Sequence, residues 1–191
     1  YRFKHIKLIK NFLQICKNQL KILILMLNKK NALITGGAGL LGPQHALALN
    51  ELGFNIILID IDKKNLLLTY NKLKKKIKKN TNILSYHCDI SSESQVKKIS
   101  SELRKKKILV DVLINNAEIN PKMNKYKSSF TGRVEDYSIK SLTRELGVGI
   151  IGTFICSKIF GEHMKKKRGG QSLTFPQTLA SQLQIKEFII K

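Results

Sequence analysis

An apolar run that breaks on a cluster of glycines constrains this chain more than any other feature. Ala32-Leu33-Ile34-Thr35 meets Gly36, Gly37, Gly39 and Gly42; an apolar-periodic segment runs from Leu40 to Leu52, and a second buried-strand run, Ile56 to Ile59, closes on Asp60. In order this reads as strand, tight turn, helix, strand and acid. Glycine lets a backbone turn sharply off a strand, approach a pyrophosphate without a Cβ in the way, and pack a helix on a sheet. Phosphate oxygens then meet free N–H groups at a helix N-terminus. Gly37-x-Gly39-x-x-Gly42 supplies those three places, with Thr35, Gly36, Leu40 and Leu41 completing the turn. Pro43 fits the first helical turn, where its missing N–H costs little, and Gly53 is placed as the stop after the last periodic residue. At the end of the second strand, Asp60 can accept both ribose hydroxyls of NAD and would repel the extra phosphate of NADP. The expected ligand is therefore a dinucleotide, NAD rather than NADP, and the alternative is a purely structural glycine turn.

The remaining elements extend the pattern. A helix is expected from about Lys64 to Lys79, with Leu66, Tyr70, Leu73 and Ile77 on one face. Ile83 to Tyr86 reads as a third strand, and Ser92-x-x-Gln95 as a capping box opening a helix that ends near Lys106. Between them, Asp89 is placed either to bond an adenine amino group or simply to open the turn. Val110 to Ile114 reads as a fourth strand ending in Asn115-Asn116-Ala117-Glu118, where Asn116 and Ala117 would line the nicotinamide ribose. From Ile119 to about Asp136 no period holds, and a functional loop is expected. Ser138 should cap a long helix to about Lys167, with Leu142, Leu146, Ile150, Phe154 and Ile155 buried. Gly147, Gly149 and Gly152 interrupt that helix, implying close backbone contact with the sheet or a partner. Alternating strands and helices imply an α/β fold, a doubly wound parallel sheet with right-handed crossovers, incomplete on its C-terminal side.

Charge raises a rival reading. Thirty-five basic against thirteen acidic residues give +22, which alone would point to nucleic acid or anionic lipid. The lysines, however, come in runs such as Lys74-Lys75-Lys76 and Lys165-Lys166-Lys167-Arg168 without interleaved aromatics. A basic nucleic-acid or membrane-surface binder therefore stands as the minor alternative; its affinity would fall steeply with salt and ignore NADH. Cys16, Cys88 and Cys156 are odd in number and widely spaced, and no Cys/His spacing suggests a metal site, so reduced thiols in a cytoplasm are expected. Residues 1–28 are basic and apolar, and their longest hydrophobic run is too short to cross a bilayer. They are expected to lie outside the fold, leaving residues 29–170 as the dinucleotide-binding domain.

Taken together, Thr35-Gly36-x-x-Gly39-x-x-Gly42, Asp60, Asp89-Ile90, Asn115-Asn116-Ala117 and Gly149-Ile150-Ile151-Gly152-Thr153-Phe154 with Ser157-Lys158 resemble successive landmarks of the short-chain dehydrogenase/reductase family. The resemblance covers about residues 27 to 170. It implies NAD(P)-dependent hydride transfer between an alcohol and a ketone, on a sugar-like or other small molecule, in full-length relatives that are homo-oligomers. Gly149 stands where family members often have Asn, and Glu118 where the Asn-Asn-Ala motif usually ends in Gly. The family's reaction also uses a Tyr as general acid/base, a Lys four residues later that lowers its pKa, and a Ser that orients the carbonyl. All three should follow a fifth strand after Gly169-Gly170; no Tyr follows there, and so no Tyr-x-x-x-Lys, and no catalytic residue is assigned. Tyr70 and Lys74 have the spacing but lie before the third strand.

Instead of an apolar strand, Gln171-Ser172-Leu173-Thr174-Phe175-Pro176-Gln177 follows. When these residues are back-translated and the frame is moved to the last base of the Gly170 codon, allowed codons spell Ser-Ile-Ile-Asn-Ile-Ser-Ser. Residues 171–191 are therefore expected to be an aberrant, out-of-frame tail, and the polypeptide to be a truncated member without turnover. A non-catalytic dinucleotide-sensing module is the alternative, and it requires 171–191 to form a real strand and cap.

Overall fold

The computed structural model describes residues 30–119, 138–166 and 171–174. The N-terminal extension, the loop expected beyond Ile119, residues 167–170 and the sequence beyond Thr174 lie outside these residues. The element order is β1 (Asn31–Thr35), α1 (Gly42–Glu51), β2 (Asn55–Asp60), α2 (Lys63–Lys74), β3 (Ile83–His87), α3 (Glu93–Lys105) and β4 (Val112–Asn115). These are followed by α4 (Ile139–Leu146), a π-helical turn (Gly147–Gly152), α5 (Thr153–Lys166) and β5 (Gln171–Thr174). All five strands are parallel, in the order β3-β2-β1-β4-β5. The doubly wound α/β class is as expected.

Strand side chains alternate between two cores, which is why β1 and β2 are apolar at nearly every position. Leu33, Ile57 and Ile59 join Val96, Leu103 and Phe160 on the side covered by α3 and α5. Ala32, Ile34, Ile56 and Leu58 join Ala46, Leu66 and Leu73 under α1 and α2. Each fully buried Leu or Ile contributes roughly 1.5–3 kcal/mol of transfer free energy. That explains why the two strands bearing the glycine turn and the acid sit at the centre of the core.

Helix boundaries follow local chemistry. Helix α1 has Pro in its first turn, and it ends with Gly53 N–H on Asn50 O (2.9 Å) and Phe54 N–H on Leu49 O (3.1 Å). This is the paired closure expected of a glycine stop. Helix α2 ends at Lys74, one turn earlier than expected; Ile77 nevertheless packs on the core beside Tyr70. Strand β4 begins at Val112, because Val110, fully buried, points its N–H at His163 rather than into the ladder.

Three expectations require correction. The capping box at Ser92 does not form: Ser92 meets the Ser94 hydroxyl at 3.0 Å, and Gln95 Oε1 accepts instead from Asp89 N–H at 3.0 Å. The long helix after Ser138 forms from Ile139 to Lys166 as expected, but it is not α-helical throughout. Ser138 does cap α4, accepting from Ser141 N–H at 3.1 Å, but the glycine-rich stretch widens into a π turn before α5. Three glycines in six residues weaken the α ladder there and favour the wider turn. Leu142 and Leu146, on α4 before the turn, are exposed, as are Ile150 and Phe154, whereas Ile155 is buried as expected, with Cys156, Ile159 and Phe160. Finally, Gln171–Thr174 is a strand, pairing with β4 from Val112↔Gln171 to Asn115↔Thr174. A parallel partner asks mainly for backbone groups, and the small Ser172 is buried there without crowding. The folded unit therefore runs past residue 170.

Candidate functional site

The glycine turn, the ends of β2, β3 and β4, and the start of the π turn enclose a cleft of about 610 Å³ at the C-terminal edge of the sheet. This is where an open parallel sheet presents its binding crevice, at the point where strand order reverses between β1 and β4. The turn is held from three sides. Gly36 adopts a left-handed φ of +63°, and Gly37 N–H donates to Ile59 O at 3.0 Å, tying the turn to β2. Gly42 packs so closely that a Cβ there would lie 2.5 Å from Gly36 O. The sharp turn thus belongs to Gly36 rather than Gly37, and Gly37 instead makes room for Leu58 of β2.

Thr35 works as a clamp. Its Oγ1 accepts the N–H groups of Asn116 and Ala117, both at 3.0 Å, joining the end of β1 to the end of β4. Asn116 completes the joint by donating Nδ2 to Thr35 O and Gly36 O, each at 3.1 Å. Its Oδ1 is buried and has no partner among the described residues. Neighbouring Asn115 turns away, donating to Ser157 at 3.2 Å and Ser172 at 3.4 Å.

The carboxylate of Asp60 lies against the glycine turn. Oδ2 accepts Ala38 N–H at 2.8 Å and Oδ1 accepts Asp62 N–H at 2.9 Å. A carboxylate has about four acceptor positions, so two remain for a ligand. Asp89 closes its own turn, Oδ1 taking the N–H (2.9 Å) and hydroxyl (2.6 Å) of Ser91; the turn-opening reading is therefore realised, and Asp89 also lines the cleft. Ile90 is wedged against the π turn, where a Cβ on Gly152 would lie 2.7 Å from its side chain. Among the described residues no side chain caps α1, whose first turn includes Pro43 and so has one N–H fewer to satisfy.

Of the residues expected at the site, Gly36, Gly39, Leu40, Leu41, Asp60, Asp89, Ile90, Asn116 and Ala117 line the cleft, while Thr35, Gly37 and Gly42 support it from behind. Asp62, Asn65, Arg144 and Val148 also line it and were not anticipated. Asp62 carried a readable signal, since an acid before an amphipathic run is an N-cap, and its Oδ1 accepts Asn65 N–H at 3.0 Å. Arg144 and Val148 carried none, because no local pattern in the sequence says that α4 and the π turn border the cleft. In a chain of charge +22, the cleft brings together Asp60, Asp62, Asp89 and Glu118 against Arg144, the single cation lining it among the described residues.

The remaining chemistry is muted. Cys88, beside the cleft, is pushed up to about 12 by burial and then by Asp89, so its thiol stays protonated. Cys156 is raised to about 12 by burial and by Cys88. Tyr70 and Lys74 meet as a cation over a ring, 5.7 Å from its centroid, away from the cleft-lining residues. Among the described residues no acid, His and Cys cluster could hold a metal, and no helix is long and apolar enough to cross a membrane.

Comparison with known proteins gives a consistent result. The family model described as short chain dehydrogenase matches residues 30–174. The uncharacterized oxidoreductase YxbG of Bacillus subtilis is 30% identical over 132 residues, covering 69% of this chain and 44% of that protein. Meso-2,3-butanediol dehydrogenase of Serratia marcescens is 28% identical over 142 residues, 74% of this chain and 51% of its own length. The chain thus spans about half the length of the curated relatives it matches. The crystal structure of NAD+-bound xylitol dehydrogenase superposes with a TM-score of 0.67 at 27% identity, covering 81% of this chain and 55% of that one. With the family model matching three-quarters of its length, including the glycine turn and all five strands, the chain belongs to the short-chain dehydrogenase family.

Proposed function

We propose that the cleft holds a nicotinamide dinucleotide, NAD in preference to NADP, and that the whole protein serves hydride transfer between a small alcohol and its ketone. The observation that carries this reading is the joint between Asp60 Oδ2 and Ala38 N–H at 2.8 Å, which sets a carboxylate beside the phosphate-sized turn. The diphosphate would lie on the backbone from Gly36 to Gly42 and the first N–H groups of α1. The two acceptor positions left on Asp60 would take the ribose hydroxyls, and its charge, with Asp62 next to it, would repel a 2′-phosphate. Asp89 and Ile90 would border the adenine, and Asn116 and Ala117 the nicotinamide ribose. The nicotinamide, when bound, supplies the hydride acceptor or donor. A second reading, a dinucleotide-binding module without catalysis, gains support from the pairing of β5 with β4.

The 191-residue polypeptide has no Tyr-x-x-x-Lys after β5, so we infer weak NAD binding and no turnover for it as it stands. Reading the DNA past codon 170 in all frames tests the out-of-frame origin of the sequence beyond that point. The cofactor proposal is tested by calorimetric titration of the protein and its Asp60→Ala variant with NADH and NADPH. NADH should bind the parent more tightly, and the variant should lose about tenfold or more for NADH, as expected of removing hydrogen bonds to a charged group, while narrowing the gap to NADPH. Equal binding of both cofactors by the parent would count against the assignment of Asp60, and oxidation of an alcohol by the 191-residue chain would refute the inactive reading.

A further inference from the structure

The outer face of α2 combines exposed leucines with lysines. Leu66 and Leu73 point inward and are buried, leaving Lys64, Leu67, Leu68, Asn71, Lys72 and Lys75 facing out at helical spacing. Leu67 and Leu68 are 59% and 49% exposed, so the stripe carries an apolar pair with lysines above and below it. The surrounding segment is one-signed: residues 63–79 contain Lys63, Lys64, Lys72, Lys74, Lys75, Lys76, Lys78 and Lys79 and no Asp or Glu.

We propose that this face of α2 docks on an anionic phospholipid bilayer. The pattern suits that partner for two separate reasons. Lysines at either end of a short apolar patch can lay their methylene stems along a lipid surface while their ammonium groups reach the headgroup phosphates. The eight lysines, set against the one carboxylate of Asp62 at the N-terminal end of the helix, complement an anionic leaflet within a Debye length. Nucleic acid would use the same charge, but it would favour flat aromatic or guanidinium groups for stacking. Here the exposed face offers aliphatic leucines, and Tyr70 is turned to the core with Lys74 over its ring.

The test is co-sedimentation of the full 191-residue chain with phosphatidylcholine vesicles, with and without phosphatidylglycerol, at increasing salt. Two variants accompany it, Leu67→Ser with Leu68→Ser, and Lys64→Gln with Lys72→Gln and Lys75→Gln. All five side chains are exposed, and circular dichroism verifies that each variant keeps the parental fold. Binding is expected only with phosphatidylglycerol. The leucine variant should bind about tenfold less tightly at every salt concentration, and the lysine variant should lose both affinity and much of the salt dependence. Binding unchanged in both variants would place the contact elsewhere on the chain and overturn the proposal. So would loss in the lysine variant alone, accompanied by tighter binding to polyuridylate, which would identify a nucleic-acid surface.

Discussion

Single residues divide the glycines of this chain into two kinds. At Gly42 a Cβ would lie 2.5 Å from Gly36 O and 2.8 Å from the Gly37 backbone, neither of which can move without opening the turn. At Gly149 a Cβ would meet nothing within 4 Å. Gly42→Ala should therefore destabilise the fold by about 2 kcal/mol or more through overpacking, whereas Gly149→Ala should stabilise it by about 0.5–1 kcal/mol. Denaturant unfolding of the two variants, run side by side, checks both signs. The first kind of glycine was legible in the sequence, because its spacing after a buried strand fits almost no local structure but a tight strand-to-helix turn. The role of Thr35 was legible only in outline. Its clamp on Asn116 and Ala117 joins residues about eighty positions apart, and no local pattern announces which hydroxyl will meet which strand end.

Among the elements, β1, β2 and the turn between them could be read directly, since apolar runs, glycines and an acid each have a narrow meaning there. The stretch after Ser138 could not. Its cap was recognisable, but α4 buries none of its residues although its apolar spacing reads as a core face, and the widening at Gly147–Gly152 shifts the side chains that follow it, so a single 3.6-residue count over the stretch assigns the wrong buried face. Strand β5 was missed for a related reason, as its place depends on the open edge of β4 rather than on its own residues. Helix α5 carries a pH-sensitive group that the pattern gave no hint of. His163 is fully buried, with Ser100 Oγ 2.8 Å and Arg104 Nε–H 3.1 Å from Nε2 and Val110 N–H facing Nδ1 at 3.4 Å. The neutral ring can carry its one proton on Nε2 toward the Ser100 hydroxyl and accept at Nδ1; a second proton, on Nδ1, would point a donor at Val110 N–H. Burial first, then Arg104 and Lys166, lower its pKa to about 4 from the usual 6.5. The unfolded chain takes up that proton below pH 6.5 and the folded chain does not. Stability should therefore hold above 6.5 and decline as pH falls from 6.5 to about 4, by on the order of 3 kcal/mol in total from this group. Denaturant unfolding at pH 7 and pH 5, with an NMR titration of His163 itself, tests this; an imidazole that protonates near 6.5 would remove the expected decline.

For the whole molecule, the notable feature is the sorting of charge. The net charge is +22, yet among the described residues the cleft is walled by four carboxylates and one guanidinium. A field of that size acts over roughly 8–10 Å at ordinary ionic strength, while contacts inside the cleft act at hydrogen-bond range. The long-range part governs how often an anion arrives, and the short-range part governs how long it stays. Stopped-flow measurement of NADH binding should therefore give an association rate that drops about tenfold or more between low and high salt, with a dissociation rate that changes little. A dissociation rate carrying most of the salt effect would show the two roles to be mixed.

The single bond from Asp60 to the Ala38 amide has a consequence for how the protein can evolve. Exchanging that acid for a neutral residue to admit a phosphorylated ribose would also release the amide it restrains, so a change of coenzyme preference would loosen the loop at the same stroke. Redesign in that direction needs a new acceptor for Ala38 N–H before it needs a new cation.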